Sequence, residues 1–128
     1  MAILLAALTA LMSRATPVVA GDWEDAEAAN KAGDYKKEFR LLKDIAEQGD
    51  ADAQFNLGIM YTNGEGVPKD YAKAVYWYRK AAEQGDASAQ FSLGLMYSAG
   101  EGVSEDHAKA AHWYQKAAQQ GHAKAQFN

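Results

Sequence analysis

Three histidines, His107, His112 and His122, fall near the end of the chain, and imidazole is both a frequent metal ligand and a general base at neutral pH. Their spacing does not suit a metal. His107 and His112 are five residues apart, whereas two ligands on one helix face need three or four, and no acid stands at a recognised zinc spacing from them. The absence of cysteine removes disulfides and thiolate metal sites. Gly64-Glu65-Gly66 and Gly100-Glu101-Gly102 have the glycine density of a phosphate cradle, but no Gly-Lys-Ser or Gly-Lys-Thr occurs after them. Each also carries an acid where a phosphate would be repelled, so both read as turns. A serine nucleophile paired with a lysine three residues on is missing too: Ser88, Ser92, Ser98 and Ser104 are followed at that distance by Phe91, Leu95, Glu101 and His107. Acids such as Asp50 and Asp52 are explained as charges placed at the positive end of a helix dipole. The expectation is a protein with no catalytic residues, no cofactor and no metal.

The elements that would position any site are helical. Of the 128 residues 48% are apolar, as in a folded soluble domain, and the two prolines and abundant alanines favour helices packed around the 7 Tyr, 4 Phe and 3 Trp. A net charge of -4, with 13 basic residues scattered among 17 acids, excludes a nucleic-acid partner, which needs a concentrated basic surface. Residues 1–20 differ from the rest. Ala2 to Met12 is apolar except for Thr9, too short to span a bilayer, and Val18-Val19-Ala20 resembles a signal-peptidase site, although no Lys or Arg precedes the apolar run. This segment reads as a cleaved secretory signal peptide, placing a mature chain without a transmembrane span in the periplasm or outside the cell. The alternative is an extra docked helix on a cytoplasmic protein.

A 36-residue period dominates the rest of the chain. Ala51-Asp52-Ala53-Gln54-Phe55-Asn56-Leu57-Gly58-Ile59-Met60-Tyr61 returns as Ala87-Ser88-Ala89-Gln90-Phe91-Ser92-Leu93-Gly94-Leu95-Met96-Tyr97, and 23 of the 36 positions from Ala51 to Asp86 recur identically. Each unit reads as a helix A (about Ala51 to Asn63) and a helix B (about Tyr71 to Gln84), started by the N-cap oxygens of Asp50 and Asp70 and ended at Gly64 and Gly85. Residues 21–50 form a shortened first pair, with Trp23 to Ala32 as helix A, a turn at Gly33-Asp34, and Tyr35 to Gln48 as helix B. Repeats occupy 51–86 and 87–122, and 123–128 begin a further, interrupted repeat.

Ala53, Leu57, Gly58, Tyr61, Gly64, Gly66 and Val67, followed by Asp70, Lys73, Ala74, Trp77, Tyr78, Lys80, Ala81, Ala82 and Gly85, resemble the two halves of the motif of the Sel-one-like repeat family, relatives of the tetratricopeptide repeats. The resemblance covers about Asp22 to Asn128. It implies an all-α fold, a right-handed α/α superhelical solenoid of antiparallel helix pairs, acting as an interaction scaffold, most often in bacteria. Some secreted, cysteine-rich relatives have been described as penicillin-binding or β-lactamase-like, and this chain departs from them in having no Cys.

The recurring residues have a structural explanation. Ala53, Leu57, Met60 and Tyr61 share one face of helix A, and a helical glycine costs about 1 kcal/mol relative to Ala, so Gly58 implies the close passage of another backbone. Ala74, Trp77, Tyr78, Ala81 and Ala82 make an apolar arc on helix B wide enough for two neighbours. Partner binding is then expected at helix-A positions off that core face, which the tetratricopeptide resemblance places on the concave side: Asp52, Phe55, Asn56, Ile59, Thr62 and Asn63, with Ser88, Phe91, Ser92, Leu95, Ser98 and Ala99 as counterparts. The changes Asp52 to Ser88, Asn56 to Ser92 and Asn63 to Ala99 make this face partly polar and non-uniform, as a groove for a protein or extended peptide would be. Two alternatives stand beside this reading. Phe55 and Phe91 could instead seal the joint between units, and the array could be a structural spacer that self-associates through its C-terminal end around Phe127.

Overall fold

A computed structural model describes residues 21–121, which contain six α-helices and no strand. The helices are α1 (Gly21–Lys31), α2 (Tyr35–Glu47), α3 (Ala51–Asn63), α4 (Tyr71–Glu83), α5 (Ala87–Ala99) and α6 (His107–Gln119). They form an all-α solenoid of helix pairs in which each helix packs chiefly on its neighbours in sequence. Nothing is closed across the array, as expected when every unit buries its core against adjacent units alone. The proposed leader at 1–20, His122 and the interrupted repeat at 123–128 lie outside the described residues.

Five of the six helices start at an aspartate. Asp34, Asp50, Asp70, Asp86 and Asp106 accept hydrogen bonds from the backbone N–H groups of Lys37, Ala53, Lys73, Ala89 and Lys109 at 2.8–3.2 Å. Each satisfies one of the amides that a helix leaves unpaired in its first turn. At the other end of helix A, Gly64 (φ 70°) and Gly100 (φ 70°) adopt the left-handed conformation, and their N–H groups donate to the carbonyls of Met60 and Met96. The loop is then tied back, because Asp70 N–H donates to Tyr61 O and Asp106 N–H to Tyr97 O.

The core runs along the array as one cluster. Leu42, Ile45, Leu57 and Leu93 are its largest fully enclosed side chains, and Trp77, Tyr78, Tyr61 and Tyr97 are also buried. In one respect the packing differs from the sequence expectation. What lies over Gly58 is the ring of Tyr78 and not a passing backbone: a β-carbon at Gly58 would overlap the ring and reach its Cζ at 2.9 Å. Tyr114 covers Gly94 in the same way, with the carbonyl oxygen of Ala110 next nearest at 3.3 Å. The glycine therefore lets a flat phenol lie against the helix, and burial raises the Tyr78 pKa above its ordinary value.

Two further devices join one unit to the next. Tyr61 meets the ring of Phe39 on α2 edge-on at 5.5 Å, and Tyr97 accepts a 2.7 Å hydrogen bond from Arg79 on α4. Gln54 and Gln90, buried although polar, donate through Nε2 to the Ala46 and Ala82 carbonyls of the preceding helix B at 3.1 Å. Their Oε1 atoms accept from Gln84 and Gln120, which cap the following helix B, at 2.8 Å. Each glutamine thus links three helices, with both its amide nitrogen and its amide oxygen bonded. Gln54→Leu should lower the unfolding free energy by about 1–2 kcal/mol, below the most severe penalty for a stranded buried group because Ala46 O keeps the Gly49 N–H. Urea unfolding followed by circular dichroism measures this, and an unchanged midpoint would show that the glutamine bonds contribute nothing net.

Candidate functional site: the helix-A face

The twelve helix-A positions expected to meet a partner stay at least partly open to solvent. Asp52, Asn63, Leu95 and Ala99 are exposed, and Phe55, Asn56, Ile59, Thr62, Ser88, Phe91, Ser92 and Ser98 are partly buried. Leu95 retains 46% of its surface. These twelve residues do not behave alike. Phe55 and Phe91 pack on Tyr78 and Tyr114 of their own units, with ring centroids 5.8 and 5.6 Å apart. These contacts brace helix A on its own helix B. Thr62 donates to Gly58 O at 2.8 Å, and with its single proton so placed it accepts from the Tyr78 hydroxyl at 3.2 Å. Its polar atom therefore serves the unit, which leaves Asp52, Asn56, Ile59 and Asn63, with Ser88, Ser92, Leu95 and Ala99, as the freer part of the face.

Asn56 and Ile59 open into a cleft of about 380 Å³, which they line together with Met60 of α3, Trp23, Ala26, Glu27 and Asn30 of α1, Glu38 and Leu42 of α2, and the loop residue Glu65. It lies where the first helix pair meets the second. The contribution of α1 and α2 is absent from the sequence-based set, because that set came from comparing the two full repeats. Its signal lies in a departure from the repeat. Glu38 occupies the position filled by Ala74 and Ala110 one and two periods later, and Leu42 that of Tyr78 and Tyr114. Where the full repeats place a broad phenol on a glycine, the first pair has a smaller aliphatic side chain, and space remains.

The cleft carries polar as well as apolar groups. Its polar groups are the amides of Asn30 and Asn56 and the carboxylates of Glu27, Glu38 and Glu65, with no hydroxyl nucleophile or imidazole among the residues that line it. His107 and His112 lie on α6, away from the cleft, and His107 pairs with Glu105 at 2.7 Å on the exposed surface. Among the described residues no three His, Asp or Glu side chains converge on a point that could hold a metal ion. Nor is any of these helices long and apolar enough to cross a membrane.

A model of the Sel1 repeat matches residues 51–86 and again 87–122. The chain belongs to the Sel1 repeat family. Solved structures agree with it: a Sel1 repeat protein from Oxalobacter formigenes is 43% identical, with a TM-score of 0.75 over 80% of this chain and 42% of that one. A protective antigen of uropathogenic Escherichia coli with an SLR fold is 37% identical, with a TM-score of 0.71 over 82% of this chain and 25% of its own. Cysteine-rich protein B of Helicobacter pylori is 32% identical, with a TM-score of 0.67 over 70% of this chain and 68% of that one. The chain therefore spans less than half the length of the first two. No curated protein sequence gives a significant match. Sel1 repeats serve in general as protein-interaction modules, and the family consists in general of non-catalytic scaffolds.

Proposed function

We propose that this Sel1 repeat chain is a non-enzymatic adaptor that holds an extended segment of a partner protein along the helix-A face of α1, α3 and α5. The observation that carries this reading is the cleft at Asn56 and Ile59. It joins apolar walls to a few convergent polar groups on the side of the array where repeats differ, as a peptide-selecting surface requires. Conserving the scaffold while varying this face lets recognition change without loss of the fold. Export of the chain, with residues 1–20 as its leader, would put the partner in the cell envelope or outside the cell.

A photo-crosslinking amino acid at position 56 or 95 should capture a discrete partner, whereas the same group at Tyr76 or Glu83, exposed on helix B, should not. The adduct should weaken severalfold when Ile59 and Leu95 are both changed to serine in a protein that melts normally. Equal capture from both faces, or capture indifferent to the double substitution, would overturn the reading. Self-association is the second reading, for which the exposed Leu95 offers apolar surface. Light scattering of the purified chain separates the two, because a spacer would form a stable oligomer with no partner present.

A further inference from the structure

We propose that the cleft between the first and second helix pairs is a specificity pocket for one cationic side chain, arginine in preference to lysine, carried by the partner segment; this rests on the groove reading above. Size is the first argument. A cleft of about 380 Å³ suits one long side chain and the adjoining backbone, and is small for a helix or a folded domain. Charge is the second. The carboxylates of Glu27, Glu38 and Glu65 are part of its wall, and no Lys or Arg is. Lys31 balances Glu27 through a 3.0 Å ion pair on the exposed surface, whereas Glu38 and Glu65 accept from the amides of Asn30 and Asn63 and have no cation at ion-pair distance among the described residues.

Glu38 is held ready. Both of its oxygens lie 3.1 Å from the Asn30 side-chain nitrogen, so the carboxylate is oriented before any ligand arrives and still has lone pairs to offer. It is partly buried, where an ionic contact is worth more than on open surface. Beside the amides of Asn30 and Asn56, the remaining wall is apolar and aromatic, with Trp23, Leu42, Ile59 and Met60. An indole beside carboxylates suits a guanidinium, which stacks on aromatic faces, bonds carboxylates in two places and is more weakly hydrated than an ammonium. The equivalent positions of both full repeats are alanines fully enclosed in the core, so a carboxylate here is peculiar to the first helix pair.

The test uses the full chain and a displayed library of random dodecapeptides. Selected peptides should share one arginine. Its replacement by citrulline, which keeps the shape and removes the charge, should weaken binding by about tenfold or more. Against Glu38→Gln, which can still accept from Asn30, the same replacement should matter far less, so that the two losses are not additive. Affinities unchanged by citrulline would overturn the pocket while leaving the groove standing, provided that Ile59→Ser with Leu95→Ser still abolishes binding. An array that folds normally but selects no peptide would overturn both. A dimer dissolved by Glu38→Gln would assign the cleft to a second copy of the chain and so overturn the pocket as stated.

Discussion

Replacing Trp77 by alanine should lower the unfolding free energy by about 3–5 kcal/mol, the usual range for deleting a buried indole. The side chain sits on α4 with 8% of its surface exposed, inside the cluster that runs from the first helix pair to the last. As an inner helix α4 must satisfy two neighbours, α3 on one side and α5 on the other. A cavity there loosens both contacts at once, because a solenoid has no remote packing to compensate. Measured against a typical total of about 5–15 kcal/mol for a domain, such a loss should lower the melting temperature by well over ten degrees or leave the chain largely unfolded. Trp113→Ala provides the comparison. Its indole is only partly buried on α6, so the same deletion should cost distinctly less. Thermal unfolding followed at 222 nm reads both variants, and a Trp77→Ala protein as stable as wild type would contradict the central place given to helix B.

Periodicity made the scaffold legible because a repeat reports its own constraints. Ala53, Leu57, Tyr61, Trp77 and Ala81 recur where burial requires them, and α3, α4 and their copies arise from aspartate caps and glycine stops that each have a local physical cause. Recurrence says less about what a residue touches. Gly58 signalled a close approach, but a glycine accommodates a ring or a backbone equally well, and only the fold places the Tyr78 phenol over it. Gln54 recurs as plainly as Leu57, yet a polar side chain at a core position has no meaning until the Ala46 carbonyl and the Gln84 amide are seen to meet it.

The cleft was harder still to read, since more than half of its wall belongs to α1 and α2, whose sequence departs from the repeat and offers no second copy for comparison. On the α3 side Asn56 and Ile59 were legible as variable, outward positions, whereas Thr62 and Phe55 were grouped with them because spacing alone cannot separate a solvent-facing side chain from one leaning back on Tyr78. Glu38 was visible as a charge on a helix. Its significance lies in tertiary placement, bonded to Asn30 and sharing a cleft wall with Ile59 of the next helix pair.

Gly66→Ala should be about as damaging as the loss of the indole, for a reason that compares two glycines in one loop. Gly64 and Gly66 both have positive φ, 70° and 72°, so alanine at either position incurs about 1–2 kcal/mol of backbone strain. Around Gly64 a new methyl would find Lys69 Cβ at 3.3 Å, a contact that a small shift relieves. At Gly66 it would overlap the carbonyl oxygen of Tyr35 and lie 2.6 Å from its carbon and 3.1 Å from Lys36 N, all of them backbone atoms at the start of α2. Backbone in a helix's first turn cannot rotate aside as a side chain can, so the loop of the second unit must lift off the first. Gly102 stands in the same relation to Tyr71 and Ala72 at the start of α4, which makes the contact a property of the repeat and not an accident of one loop. Gly66→Ala should therefore exceed Gly64→Ala by about 1–3 kcal/mol, the range for forcing extra atoms into a packed interface, as urea unfolding would measure. Because the lifted loop carries Glu65 and adjoins the cleft, Gly66→Ala should also weaken peptide binding more than Gly64→Ala does at a temperature where both variants are folded. Equal stability of the two would mean that the loop is not held against the preceding helix. The joint between units would then rest on the shared apolar core, the glutamine bonds and the tyrosine contacts.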